Sequence, residues 1–179
     1  MTDPPATNPP SPFITEFIRR LAASGKARGA RALDLACGSG RHALPLAAAG
    51  FAVTGIDFQY DLLVRARSSA GERGVRLSLA CADLTMMPLP PCHFDVVVVT
   101  RYLDRTLFPA LRQTLVPGGL LLYETFTEHQ LRYARGPRSP HHLLAPGELR
   151  MLVHGMDVLF DEELVAPDAV ARIAARRTS

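Results

Sequence analysis

A chain of 179 residues with 47% hydrophobic and 21% charged residues falls within the size of one globular domain, and this composition excludes the low-hydrophobicity, high-charge signature of disorder. No apolar run approaches the roughly 18 residues needed to cross a bilayer, so no membrane partner is expected. The net charge of +3 is too small to argue for a nucleic-acid partner by itself.

Met1–Pro12 is proline-rich and polar, without the basic and apolar regions of a secretory leader. It reads as a flexible arm (1–12) ahead of a single domain (13–179), and a cytoplasmic location is expected. Phe13, Phe17, Ile18 and Leu21 recur at helical spacing, so Ser11–Ala23 reads as an amphipathic helix, followed by a loop over Gly25–Gly29. Arg31–Ala36 is a short apolar strand running into the turn Cys37-Gly38-Ser39-Gly40, and His42–Ala49 is a helix closed by Gly50. Pro45 is tolerable there only if its missing amide falls in the first turn. Phe51–Ile56 is a second strand ending at Asp57, followed by a helix through Leu62, Leu63 and Ala66 that breaks at Gly71–Gly74. Val75–Leu79 is a third strand. Pro88, Pro90 and Pro91 mark a loop before Phe94–Thr100, whose four consecutive valines fit a strand buried on both faces. A helix over Leu107–Leu115, a turn at Pro117-Gly118-Gly119 and a fifth strand over Leu120–Glu124 follow.

From Thr127 to Pro146 the periodicity stops and Arg, His, Pro and Gly dominate. A structureless stretch of that length reads as a lid-like insertion. A short helix over Pro146–Val153 and strands near Met156–Leu164 and Ala169–Ala174 complete the chain. Strand–helix alternation implies an α/β fold with a parallel sheet, right-handed crossovers and helices on both faces. Cys37, Cys81 and Cys92 show no paired spacing, so neither a disulfide framework nor a metal site is expected, and they read as small buried thiols.

The turn Gly38-Ser39-Gly40 follows a strand and opens a helix, which leaves unpaired backbone amides over the carboxyl end of the sheet. Asp57, nineteen residues after Gly38 and at the tip of the next strand, is placed to accept ribose hydroxyls. Gly38-x-Gly40-x-x-Ala43 also fits the dinucleotide fingerprint, so an NAD-dependent oxidoreductase is a rival. Asp34 argues against it, because a carboxylate aimed at a pyrophosphate would repel it.

LDLACGSGRHALPLA, VTGID, CADL, FDVVVVT and LVPGGLLLYET, in that order over Arg31–Thr125, resemble the successive motifs of class I S-adenosylmethionine (SAM)-dependent methyltransferases. The resemblance implies a Rossmann-like, doubly wound, mostly parallel sheet of seven strands, and SAM as cofactor with S-adenosylhomocysteine (SAH) as product. It places Asp34, Gly38 and Gly40 at the methionine end, Asp57 at the ribose and Asp83 at the adenine amine, with Phe58 and Leu84 on either side of the ring. Ala36 and Thr100, ending the first and fourth strands, complete that cofactor-binding set.

Thr100, Arg101 and Tyr102 should face the transferred methyl group, and His42 opens a helix close by; Arg101, Tyr102 and His42 are therefore the candidate catalytic residues. The stretch Thr100–Arg105, TRYLDR, lacks the Asn/Asp-Pro-Pro-aromatic of base-amine enzymes and the cysteine of cytosine-C5 enzymes, and Thr100-Arg101 at the strand end supplies none of the carboxylates of catechol-type enzymes. That leaves a small-molecule acceptor. GRHALPLAAAG, YETFT and PGEL further resemble relatives of the tellurite-resistance methyltransferase, which implies a thiol, a chalcogen oxyanion or another small metabolite. Arg132, Arg135, Arg138, His141 and His142 in the lid-like stretch suit an anionic acceptor. A non-catalytic SAM-binding module shares these cofactor motifs and stays open at this point.

Overall fold

The computed structural model describes residues 9–179; most of the expected arm, residues 1–8, lies outside the described residues. In chain order the elements are α1 (Pro12–Ala23), β1 (Arg31–Leu35), α2 (Ala43–Ala48), β2 (Ala52–Asp57), α3 (Tyr60–Glu72), β3 (Leu77–Cys81), β4 (Phe94–Thr100), α4 (Phe108–Thr114), β5 (Leu115–Phe126), α5 (Glu148–Leu152), β6 (Met156–Leu164) and β7 (Val170–Arg177). They form one seven-stranded sheet in the order β3-β2-β1-β4-β5-β7-β6. β1 pairs in parallel with β2 and with β4, β4 pairs in parallel with β5, and β7 runs antiparallel to both neighbours. This is the doubly wound, mostly parallel sheet expected from the sequence. The strand order reverses between β1 and β4, which opens a crevice beyond their carboxyl ends.

The valine run of β4 shows why the helices divide between two faces. Val96 and Val98 pack with Ile14 and Ile18 of α1 and Leu46 of α2. Val97 and Val99 pack with Phe108 and Leu111 of α4 and Leu149 of α5. Successive side chains of a strand point to opposite faces, so a strand at the centre of a covered sheet has no polar positions to spare. Pro45 falls in the first turn of α2, where its missing N–H leaves no helical hydrogen bond unmade.

Four details differ from the sequence reading. β3 begins two residues later than expected, because its register is set by β2, with Val53 opposite Leu77. Pro117-Gly118-Gly119 is a bulge inside β5 rather than a turn before it: the register jumps between Phe94/Leu115 and Val96/Leu120. The chain makes the bulge with Gly118 at a positive φ of 79°. Cys37 is buried as expected, whereas Cys81, at the end of edge strand β3, and Cys92, in the turn before β4, are exposed. The stretch 127–146 is folded onto the sheet. Thr127 bridges to Leu144, Leu143 and Leu144 are buried, and the Arg105 guanidinium donates to the carbonyls of His141 and Leu143 while pairing with Glu148.

A Cβ on Gly119 would stand 2.9 Å from the Val116 carbonyl oxygen and 3.2 Å from that of Asp95, both backbone atoms that cannot rotate away. Gly119→Ala should therefore lower stability by about 1–3 kcal/mol, read as a lower urea midpoint at unchanged slope; an unchanged midpoint would show that the bulge relaxes.

Candidate active site

A cleft of about 1300 Å³ lies over the carboxyl ends of β1, β2 and β4. Ala36, Cys37 and Gly38 form its floor, Asp57 and Phe58 its β2 side, and Asp83 and Leu84 its β3 side. Thr100, Arg101 and Tyr102 close the β4 side, with Arg41, His42 and the exposed Pro9 and Pro10 beside them. Of the expected site residues only Asp34 and Gly40 are not on the wall. Gly40 is a packing position, where a Cβ would stand 3.3 Å from Ala66 of α3 and from Leu44 of α2. Single SAM-sized ligands occupy pockets of a few hundred to about 1000 Å³, so this volume leaves room for a second molecule.

The turn after β1 is shaped by Asp57. Its carboxylate accepts the Gly38 N–H (2.7 Å) on one oxygen and the Gln59 N–H (2.8 Å) on the other. Gly38 reaches that acid at a φ of 54°, a conformation that suits glycine. Each carboxylate oxygen has a second lone pair, so Asp57 keeps acceptor capacity toward the cleft, the requirement for a pair of ribose hydroxyls. Asp83 spends one oxygen on the Thr85 N–H and hydroxyl, bonds that lower its pKa, and leaves the other to the solvent side of the cleft. Beside these acids Phe58 is 74% exposed while Leu84 is buried, an apolar pair open on one edge.

Asp34 is the anomaly of the site. It is 1% exposed, and neither carboxylate oxygen has a hydrogen-bond partner of normal length among the described residues. Burial pushes its pKa up to about 7; the Ala43 N–H and the Arg41 charge offset this only in part, and the Asp57 charge adds to it. The Ala43 N–H lies near enough to lower the pKa but makes no hydrogen bond to either oxygen. A buried carboxylate without a partner is costly unless a cation joins it.

On the β4 side a chain of hydrogen bonds joins β7, β5, the start of α1, the start of α2 and the end of β4. Arg172 and the Ser11 hydroxyl both donate to Glu124 Oε2, at 2.6 and 2.7 Å. The Ser11 N–H donates to His42 Nε2 (3.0 Å), and His42 Nδ1 lies 3.1 Å from Thr100 Oγ1, which also accepts from Arg41 Nη2 at 3.0 Å. His42 is 1% exposed, and burial, reinforced by Arg41 and Arg101, holds its pKa down at about 3. Both ring nitrogens are spent, so the ring reaches the cleft wall as a fixed neutral strut and has no lone pair for a substrate proton.

Sequence reasoning missed Arg41 and the two prolines. Arg41 directly follows the glycine turn, a position whose exposure to the cleft was legible; its pairing with Thr100, 59 positions away, was not. The basic cluster of the 127–146 stretch does not reach the cleft: none of its residues lines it, Arg135 pairs with Asp168, and Arg138 donates to the Leu131 carbonyl.

Residues 32–119 match the family described as a methyltransferase domain. The strand order and the acid–glycine–acid arrangement agree with that match over this stretch, and SAM is the cofactor that goes with it. The chain is 42% identical over 82 residues to a phosphatidylethanolamine N-methyltransferase of Cereibacter sphaeroides, covering 45% of this chain and 40% of that one. It is 29% identical over 159 residues to a ubiquinone biosynthesis O-methyltransferase of Bordetella avium, covering 78% of this chain and 65% of that one. The structure of a SAM-dependent methyltransferase from Mesorhizobium loti superposes with a TM-score of 0.70 at 22% identity, covering 84% of this chain and 92% of that one, which shows the shared fold. The chain spans less than two thirds of the length of the curated relatives it matches.

Asp34 and His42 make opposite contributions to the pH dependence of stability. Between about pH 4 and 7 the folded chain holds a proton on Asp34 that the unfolded chain releases, so Asp34 destabilises increasingly as pH rises. Between about pH 3 and 6.5 the unfolded chain protonates His42 and the folded chain does not, so the stability tied to the neutral ring is lost as pH falls. Asp34→Asn removes the first effect: its stability should gain on the wild type as pH rises from 4 to 7, by at most about 1.4 kcal/mol per pH unit. Denaturant titrations of both proteins at pH 4, 5.5 and 7 measure this, and a constant difference would contradict the buried, raised carboxylate.

Proposed function

We propose that this protein transfers a methyl group from SAM to a small-molecule acceptor. The observation that carries the reading is Asp34: a buried carboxylate without a partner, under the turn after β1, calls for a cation, and the methionine end of SAM brings an ammonium. NAD would bring a pyrophosphate to the same place and meet repulsion. The other residues fit the same ligand: Asp57 for the ribose hydroxyls, Asp83 for the adenine amine, Phe58 and Leu84 for the ring faces, and Ala36, Gly38 and Thr100 along the methionine path.

SAM supplies an electrophilic methyl group on a sulfonium. What the chain contributes is alignment and exclusion of water along the line from the acceptor's lone pair to that carbon. Held by the acids and glycines named above, SAM would supply the methyl group and leave as SAH, its sulfur keeping the electron pair of the broken carbon–sulfur bond. Among the described residues no general base stands at the β4 side: His42 is fixed by two hydrogen bonds, and burial, together with Asp104 and Asp83, raises the pKa of Tyr102. A site of this kind favours an acceptor that arrives with an available lone pair, which supports the reading of a thiol, a chalcogen oxyanion or a similarly soft metabolite. Arg101 and Tyr102 then position the acceptor, and His42 positions Thr100.

Calorimetric titration with SAH beside NAD tests the reading. Selective SAH binding, weakened about 10- to 100-fold by Asp57→Ala through loss of charge-assisted hydrogen bonds worth about 1.5–3 kcal/mol, is the expected result. Absence of SAH binding to folded protein, or equal binding of NAD, overturns it.

A further inference from the structure

The polarity of the β4 side of the cleft is determined by the hydrogen-bond chain behind it. A backbone N–H can only donate, so His42 Nε2, which receives the Ser11 N–H, is the unprotonated nitrogen. A neutral imidazole carries one proton, which therefore sits on Nδ1 and is donated to Thr100 Oγ1. Arg41 Nη2, itself only a donor, takes the second lone pair of the same oxygen. Thr100 has thus accepted all it can. Its hydroxyl proton has no acceptor among the described residues, and the side chain lines the cleft.

One guanidinium, that of Arg41, bonds this hydroxyl, and a second, that of Arg101, lines the same side of the cleft, where its charge acts on Arg41. Arg41 makes no ion pair among the described residues, and desolvation followed by the nearby Arg101 charge lowers its pKa. Arg101 leaves β4 in the left-handed region at a φ of 56°, an uncommon conformation for a residue with a side chain, held by its N–H donating to the Glu124 carbonyl at 2.8 Å. Its carboxylate neighbour Asp168 is 3.7 Å away and is already hydrogen-bonded to Arg135 at 2.8 Å, so one acid serves two cations. Of the acids whose charge reaches Arg41, Glu124 is committed to Arg172 and Ser11, and Asp34 is buried and does not line the cleft.

We propose that Thr100, Arg41 and Arg101 form a donor-only subsite that recognises an anionic oxygen group, a carboxylate or oxyanion, carried by the methyl acceptor. The proposal rests on the methyltransferase reading and narrows its substrate class. Three donors and no acceptor reject ammonium groups and amide N–H groups, since these would leave donors facing donors. His42 is the positioning residue: its tautomer, imposed by Ser11, turns Thr100 from a group able to donate or accept into one that only donates.

The test titrates SAH-saturated protein with mercaptoacetate and with selenite, alongside 2-mercaptoethanol as the uncharged match. The wild type should bind the two anions and prefer mercaptoacetate over 2-mercaptoethanol. Arg41→Met, Arg101→Met and Thr100→Val should each lower anion affinity about tenfold or more relative to that for the uncharged thiol, so that the preference for mercaptoacetate is lost. Thr100→Ser, which keeps the hydroxyl, should restore binding, separating loss of the donor from a folding defect. Absence of anion binding by the wild type, or variants that bind mercaptoacetate as the wild type does, overturns the proposal. So does a loss of affinity in the variants for SAH but not for 5′-methylthioadenosine, because the donors would then hold the cofactor's own carboxylate. Failure of the wild type to bind SAH, seen before any anion is added, overturns instead the methyltransferase reading beneath it.

Discussion

The parallel pairing of β1 with β4, both buried on their two faces, is the constraint from which the rest of the molecule follows. Val96–Val99 can satisfy it only if helices cover each side of the sheet, and a parallel neighbour can be reached only by a crossover. The chain therefore leaves β1 in one direction for β2 and β3 and returns past it to β4. The two strands diverge in their connections at one point, and there backbone groups, acids and arginines meet around empty space. The cleft is thus a product of topology, while its chemistry comes from the few residues placed at strand ends.

Those residues are held in two distinct ways. The β1–β2 side relies on main chain: Asp57 organises the turn by accepting amide protons from Gly38 and Gln59, and the buried Asp34 waits below it. The β4 side relies on side chains far apart in sequence, a relay from Arg172 through Glu124, Ser11 and His42 to Thr100. Ser11 is well suited to cap α1, yet its hydroxyl goes to Glu124 and makes no cap bond. The start of α1 is thereby anchored to the cleft wall, and Pro9 and Pro10 are carried to the rim with it.

The strand–helix order, the valine strand and the acids at strand ends were legible because each follows from a local period or from a spacing along one βαβ unit. Features that depend on distant partners were not. Nothing near His42 in sequence says that it is closed off by residues 31 positions before and 58 after it. The basic run between Arg132 and His142 shows the opposite failure: a cluster in sequence whose tie to Asp168 through Arg135, together with the pinning of His141 and Leu143 by Arg105, keeps it off the cleft. The positive charge that faces the β4 side of the cleft comes instead from Arg41 and Arg101, while Arg65 and Arg73 line it from α3 and its C-terminal end. Pro117-Gly118-Gly119 reads as a turn in any local window; only the register imposed by β4 makes it a bulge.

The exposed ring of Phe58 gives the free protein an apolar ledge on the cleft wall, in contact with water. An adenine ring laid on that ledge would release the water ordered over it, so the enthalpy of cofactor association should become more negative with rising temperature. The same ledge gives the unliganded protein a surface to which other flat aromatic compounds can adhere, and an adenine ring seated there would cover it.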